Sequence, residues 1–245
     1  MAVDIIKIPA RKSDLRKFVK FGISLYEGNE YFVPPLILDD VNTLTPSKNP
    51  AFEYCEAQAF MAYRAGKPVG RIAAIINHRV NSRSGSNDLR FGFVDFIDDD
   101  EVVDELFKAA IDWGKERGMT SIVGPLGFTD MDHEGMLIAG FAEKGTMATI
   151  YNYPYYARHM ERMGFVKDAD WLEFRMTIPD KIPDKYARIA RIVAEKYNLR
   201  TIKFSSRKKL RKQYGHALFD LINEAYDNLY GYSPLSPRQI DYYID

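Results

Sequence analysis

The stretch "LRFGFVDFIDDDEVVDELFKAAIDWGKERGMTSIVGPL", Leu89 to Leu126, decides the fold class. Its opening, "LRFGFVDFID", reads as a strand. Asp98 to Glu101 then has capping-box spacing, and a helix continues to Arg117 with Val102, Val103, Leu106, Ala110 and Trp113 turned inward. Gly118 stands where a helix-ending glycine belongs, and "TSIVGPL" reads as a short buried strand. Strand, helix and strand in immediate succession predict an α/β domain.

Upstream, "AQAFMAYRAGKPVGRIAAIINHRVN" predicts a hairpin around Ala65-Gly66-Lys67-Pro68, with "NSRSGSND" as a loop. Val3 to Ile8 alternates like a strand. Ser13 or Asp14 can cap a helix whose Leu15, Phe18, Val19, Ile23 and Tyr26 share a face, and Pro34-Pro35 breaks it. Downstream, Tyr155 to Met163 reads as a helix ended by Gly164-Phe165, with a strand, "DWLEFRMTI", after it. Asp184 to Tyr197 then forms an amphipathic helix through Tyr186, Ile189, Val193 and Tyr197.

The chain also resembles itself. "IIKIPARKSDLRK", from Ile5, is matched by "TIKFSSRKKLRK", from Thr201, with one gap, and "NEYFVPPL", from Asn29, by "NLYGYSPL", from Asn228. Strand, basic turn, long helix and proline break recur in one order. The expected organisation is a domain over 1–180, a linker helix over 181–198 and the start of a second copy over 199–245. That copy stops before its hairpin, so the chain is expected to be a piece of a longer two-domain protein.

Composition narrows the function classes. The 46% hydrophobic and 28% charged fractions are those of a globular protein. Lys+Arg 34 balances Asp+Glu 34, which gives no global field for nucleic acid or an anionic membrane. A single cysteine, Cys55, excludes an internal disulfide framework and fits a reducing compartment. Charge appears almost at once at the N-terminus, and no apolar run reaches membrane-span length. The expected location is cytoplasmic.

Chemistry concentrates in "GPLGFTDMDHEGMLIAGF", Gly124 to Phe141, where Asp130, Asp132, His133 and Glu134 crowd together. No second His or Cys cluster stands at ligand spacing, so no metal is expected. The acids either coat a loop and cap the next helix, or supply His133 or Glu134 as a base. Asp95 lies mid-strand, on the face of Phe91, Phe93 and Ile97 by simple alternation. It either pairs with an arginine such as Arg71, points to solvent, or handles the proton or ammonium of an amine. Tyr155 and Tyr156 are helix neighbours and cannot share a face, so one can line a cleft while the other packs. His159 is expected on the exposed side of its helix, beside Arg158, Glu161 and Arg162, and His78 on the surface. "RKKLRK", Arg207 to Lys212, is either a solvated face or an anion-binding patch, without the aromatic interleaving of a nucleic-acid binder.

The element order, and "NYPYYARHMERMGFVKDADWLEFRM" from Asn152 to Met176 in particular, resembles the GNAT N-acyltransferase superfamily. The pairing of "GPLGFTDMDHEGMLIAGF" with "YNYPYYARHMERMGF" resembles a narrower GNAT-like subgroup that includes bacterial ceramide synthases. The matching elements are Gly124, Pro125, Glu134, Gly135, Leu137, Gly140, Phe141, Asn152, Tyr155, Tyr156, Gly164 and Phe165. The resemblance implies a largely antiparallel mixed sheet flanked by helices, with acyl-CoA or acetyl-CoA as co-substrate. It further implies a small-molecule or lipid amine as acceptor, in reach of peripheral membrane contact, and direct transfer without a covalent enzyme intermediate. The candidate catalytic residues are Glu134, His133, Asp95 and Tyr156. The candidate substrate-binding residues are Asp132, Asn152, Tyr155 and Gly124.

Two departures from the superfamily are visible. Its phosphate-cradling loop, Arg/Gln-x-x-Gly-x-Gly/Ala, is replaced by Asp98-Asp99-Asp100-Glu101, whose carboxylates suit a helix N-terminus but repel a diphosphate. Its frequent general-acid tyrosine falls at Met160, with Tyr156 one turn earlier on the same face. The alternative to an acyl-CoA-dependent enzyme is therefore a GNAT-like binding or regulatory module.

Overall fold

Four antiparallel strands and one short parallel strand form a single sheet in the order β1-β2-β3-β4-β5. They are β1 (Asp4–Ile8), β2 (Cys55–Arg64), β3 (Lys67–Asn77), β4 (Asp88–Phe96) and β5 (Ser121–Val123). The computed structural model describes residues 2–244. The β2–β3 hairpin closes on Ala65-Gly66, both at positive φ (51° and 76°), the two-residue geometry whose twist matches that of paired strands.

Two cores cover the faces of this sheet, and β3 shows why. Ile72, Ala74 and Ile76 point to one side, against Val102, Val103, Leu106 and Phe107 of α4 (Asp100–Lys115). Ala73 and Ile75 point to the other, against Leu15, Phe18 and Val19 of α1 (Lys12–Ser24) and Val41 of α2 (Ile37–Thr43). A strand buried on both faces reads as an unbroken apolar run, as "RIAAIIN" does. After α3 (His78–Ser84), β4 carries the chain to α4, and α5 (Tyr155–Arg162) adds Tyr156 and Met160 to the α4-side core.

Two irregularities open the sheet. Phe93 has φ 46°, and Phe93 and Val94 together stand opposite the single residue Ile72, a bulge that shifts the alternation by one. Phe91 and Phe96 therefore both face α4, while Asp95 turns to the α1 side, not to the side of Phe91 that simple alternation predicts. β5 pairs only with Asp88, Leu89 and Arg90 before the chain leaves at Gly124. There φ is 152°, and a Cβ would lie 2.4 Å from the carbonyl oxygen of Phe91, so only glycine permits this departure. The ladder ends at Arg90, the Leu126 N–H still donates to the Phe91 carbonyl at 2.8 Å, and the two segments part beyond Gly92.

Several sequence expectations are corrected. Asp99, not Asp98, caps α4, its carboxylate accepting from the Val102 N–H at 3.1 Å. Neither Ser13 nor Asp14 caps α1, whose N-cap is Arg11. Residues 171–178 form no strand and are largely exposed, and 201–206 form none either, while a helix α7 (Arg207–Tyr226) follows them. A strand needs a partner for its backbone groups, and no described segment supplies one there. The apolar positions Tyr186, Ile189, Val193 and Tyr197 belong to or adjoin α6 (Asp184–Lys196) and stay exposed. Helix α8 (Pro237–Ile244) returns to the main body, where Arg238 pairs with Glu53 at 2.7 Å and Gln239 accepts from Tyr54. No helix of the described residues is long and apolar enough to cross a membrane.

Phe107 is fully buried where α4 meets Phe91, with ring centroids 5.0 Å apart, and Phe165. Phe107→Ala should cost about 3–5 kcal/mol in urea unfolding, because the rigid sheet behind it cannot collapse into the void.

Candidate active site

A cavity of about 110 Å³ lies where β4 bulges and β5 departs. At its base sits a buried network. Asp95 accepts from Arg71 Nε at 2.7 Å on Oδ2, and Arg71 Nη2 reaches the same oxygen at 2.7 Å. Its Oδ1 accepts from the Tyr26 hydroxyl at 2.9 Å and lies 3.3 Å from that of Tyr156. The two phenols are 2.9 Å apart, and Tyr156 Oη also accepts from the Phe96 N–H at 3.2 Å. One assignment satisfies every group: Tyr156 donates to Tyr26, Tyr26 to Asp95, and Phe96 to Tyr156. Burial first, then the Asp95 charge, pushes both phenols far above the usual tyrosine range, so they hold their protons.

Arg71 is pinned as firmly as its partner. Its Nη1 donates to the carbonyls of Phe18 and Val19 in α1, and its guanidinium lies 5.1 Å from the Phe18 ring centroid. Gly22 makes the room, since a Cβ there would stand 2.1 Å from Arg71 Nη2. The pair that sequence analysis offered as one option for Asp95 is the one formed, and it leaves the carboxylate little capacity to act as a base.

The mouth holds the less committed groups. His133 is exposed, and its Nε2 lies 2.9 Å from the carbonyl of Met147, which can only accept. Nε2 therefore carries the proton, and Nδ1 of the neutral ring keeps its lone pair. Asp132 accepts from the N–H groups of Phe128 (2.7 Å) and Thr129 (3.1 Å), and burial outweighs these bonds to push its carboxyl up to about 6. Asp40 of α2 also lines the cavity, its pKa raised by burial and partly offset by Arg71 and His133. Ile23, Phe32, Val33, Pro35, Met136 and Ile150 make the remaining wall largely apolar.

Of the candidates, Asp95, Tyr156, Asp132, His133 and Asn152 line this cavity; Glu134, Tyr155 and Gly124 do not. Asn152 is occupied by backbone, accepting from the Leu137 N–H at 2.7 Å and donating to the carbonyls of Leu137 and Tyr153 at 3.1 Å each. Tyr155 donates to the Phe96 carbonyl at 2.7 Å and so ties α5 to the end of β4. Glu134 is half-buried, one carboxylate oxygen without a hydrogen bond. Burial, then the neighbouring Asp130 charge, pushes it up to about 7 against the pull of Arg90. His159 is buried, not exposed as expected, because Asp98 reaches its Nε2 at 2.7 Å and Phe96 packs on its ring.

Sequence reasoning missed Tyr26 and Asp40. Tyr26 reads as one more residue on the apolar face of the first helix, and Asp40 belongs to no motif. Only the fold brings them to Asp95 and His133. Among the described residues no group of three or more His, Cys, Asp and Glu could hold a metal ion.

No family model matches the sequence. It is 30% identical over 236 residues to "Protein YghO" of Escherichia coli (strain K12), spanning 96% of this chain and 59% of that protein. It is also 30% identical over 242 residues to "Bacterial ceramide synthase" of Caulobacter vibrioides (strain NA1000 / CB15N), spanning 98% of this chain and 61% of that protein. It spans about three-fifths of the length of these relatives. Solved structures that resemble it at low similarity include proteins described as acetyltransferases. Another is a tandem GNAT protein from the clavulanic acid biosynthesis pathway, at a TM-score of 0.44 and 15% identity, covering 66% of this chain and 43% of that one.

This geometry sets the outcome of two substitutions. An alanine in place of a helical glycine ordinarily stabilises by up to about 1 kcal/mol. Gly22→Ala should instead destabilise by about 1–3 kcal/mol in denaturant titration, because the guanidinium cannot yield without abandoning Asp95. Glu134 has the opposite sign from an ion-paired acid. Its folded pKa stands above the unfolded one, so the unfolded chain releases the proton first, and stability falls as pH rises from about 4.5 to about 7. Glu134→Gln should thus match the parent at pH 4 and exceed it by about 1–2 kcal/mol at pH 8, after discounting for partial exposure.

Proposed function

We propose that this chain carries an acyltransferase site that moves an acyl group from a thioester to a primary amine, with a long-chain amine as acceptor. The observation that carries this reading is the cavity at the parting of β4 and β5, which sets a free imidazole nitrogen and two raised carboxyls opposite a protonated tyrosine. Asp132 and Asp40 offer negative charge to an arriving ammonium, and His133 Nδ1 takes one proton from it. The freed nitrogen attacks the thioester carbonyl, where a backbone N–H at the Phe93-Val94 bulge faces the developing oxyanion. Collapse breaks the carbon–sulfur bond, the nitrogen passes its second proton to water, and the thiolate leaves with the proton that His133 took from the ammonium, which returns the imidazole to its starting state. Amide and thiol leave. Holding both substrates in one cleft supplies much of the acceleration.

The acceptor class rests on the apolar wall and on exposed Leu36 and Leu38, which follow the wall residue Pro35 in the chain. The ceramide synthase relative agrees with that class. A second reading, a GNAT-like module that binds without turnover, draws on the acidic turn at Asp98–Glu101. Mass-spectrometric detection of amide from a long-chain acyl thioester and a sphingoid amine separates the two: product supports the enzyme, and its absence across short and long acyl donors favours the module. Within the enzyme reading, His133→Gln should lower kcat by about 10²–10⁴-fold at neutral pH, and a loss under threefold would remove His133 from proton transfer.

A further inference from the structure

The helix that leaves the cleft, α4, has an N-terminus where a diphosphate would ordinarily find free N–H groups and the positive end of a dipole. In this chain the position is filled from within. The Asp99 carboxylate accepts from the Val102 N–H at 3.1 Å and takes both Nη atoms of Arg64 at 2.7 and 2.9 Å. Arg64 also pairs with Glu101 at 2.8 Å. The other cations are committed too: Arg158 to Asp98, and Arg162 to Asp100 at 3.1 Å and Asp104 at 2.7 Å. His159, buried behind them, reaches Asp98 and Asp100. Hydrogen bonds from Arg64 hold Asp99 down at about 2, so it is an anion at any working pH. The open depression beside this turn is lined by four carboxylates, Asp98 to Glu101, against Arg158 and Arg162. The residues present do not fit a diphosphate.

We infer that Asp99 is a donor-specificity residue: it occupies the anion seat of α4, so the thioester donor is gripped by its acyl and pantetheine portions, and its nucleotide adds nothing to binding. This rests on the acyl-transfer reading for the word donor, but the filled seat is a property of α4 alone. Replacing Asp99 removes its charge from the seat and frees both Nη atoms of Arg64 from it, which makes the inference open to a gain of binding and not only to a loss.

The test compares CoA with pantetheine by calorimetry on the 245-residue chain. The two should bind within fivefold of each other. Asp99→Ser keeps a capping hydroxyl and Asp99→Asn a capping amide, so α4 retains its first turn in both. In both variants CoA should bind at least fivefold tighter than in the parent, with pantetheine unchanged. A parent that binds CoA more than fivefold tighter than pantetheine, or variants in which the ratio does not move, would overturn the inference. If the parent binds neither probe, the variants alone decide: CoA binding gained by both upholds the filled seat, and none gained overturns it. Transfer from lauroyl-CoA and lauroyl-pantetheine to sphinganine is run in parallel. Loss of product from both donors would count against the acyl-transfer reading, while the binding ratio still rules on Asp99.

Discussion

The ion pair between Arg71 and Asp95 is the constraint on which the rest of the cavity depends. Both groups are almost wholly buried, and charges in that setting are tolerated only when each lone pair and proton is matched. The match draws in α1 through the carbonyls of Phe18 and Val19, the loop after α1 through Tyr26, and α5 through Tyr156. Leaving either partner alone in this environment would cost about 3–5 kcal/mol. The bulge at Phe93 is what makes the pair possible, because without the extra residue Asp95 would turn toward α4 and meet Phe107 and Leu106. A locally strained backbone is therefore held in place by a polar network that needs it.

That network also divides the ionisable groups by task. Asp95 has spent its oxygens on Arg71 and Tyr26, and is a frame for the site more than a reactant. Asp40, Asp132 and His133 stand at the mouth, where burial raises the acids without any cation held against them as closely as Arg71 is held against Asp95. Glu134 lies beyond the cavity wall, beside Asp130 and Arg90. Adjacent in sequence, His133 and Glu134 serve different surroundings, and their spacing alone could not have shown it.

Much of the fold was legible in the chain because periodicity survives folding. The hairpin, the helix from Asp100 and the apolar runs of β3 and β4 were readable because burial on a sheet or helix face imposes a period on sequence. The features that were not legible depended on distant partners. The bulge inverts the face of Asp95, and nothing local to "FGFVDFID" announces it. His159 sits among charged neighbours and reads as exposed, yet Asp98, remote in sequence, gives its ring nitrogen a partner and lets Phe96 bury it. "DWLEFRMTI" has a strand's composition but forms none, since a strand is a relation between two segments and no described residue supplies the second. The matched segments near Ile5 and Thr201 both run into a helix but differ before it for the same reason: Ile5 pairs with Ala62 of β2, whereas Thr201 has no strand beside it.

The acidic turn after β4 shows how a helix N-terminus can be stabilised in two incompatible ways. Leaving its N–H groups open invites an external anion and costs stability until one arrives; closing them with Asp99 secures α4 at once and forgoes the ligand. This chain takes the second course and reinforces it with Arg64. A carboxylate there is useful only if the cations nearby are consumed internally, and the pairing of Arg158 with Asp98 and of Arg162 with Asp100 and Asp104 completes that consumption. The cations of the turn are thus held by its own acids, which still outnumber them. The cavity beside the bulge, by contrast, is lined by Asp40, Asp132 and His133, none of which is held by an arginine in the way that Asp99 is held by Arg64.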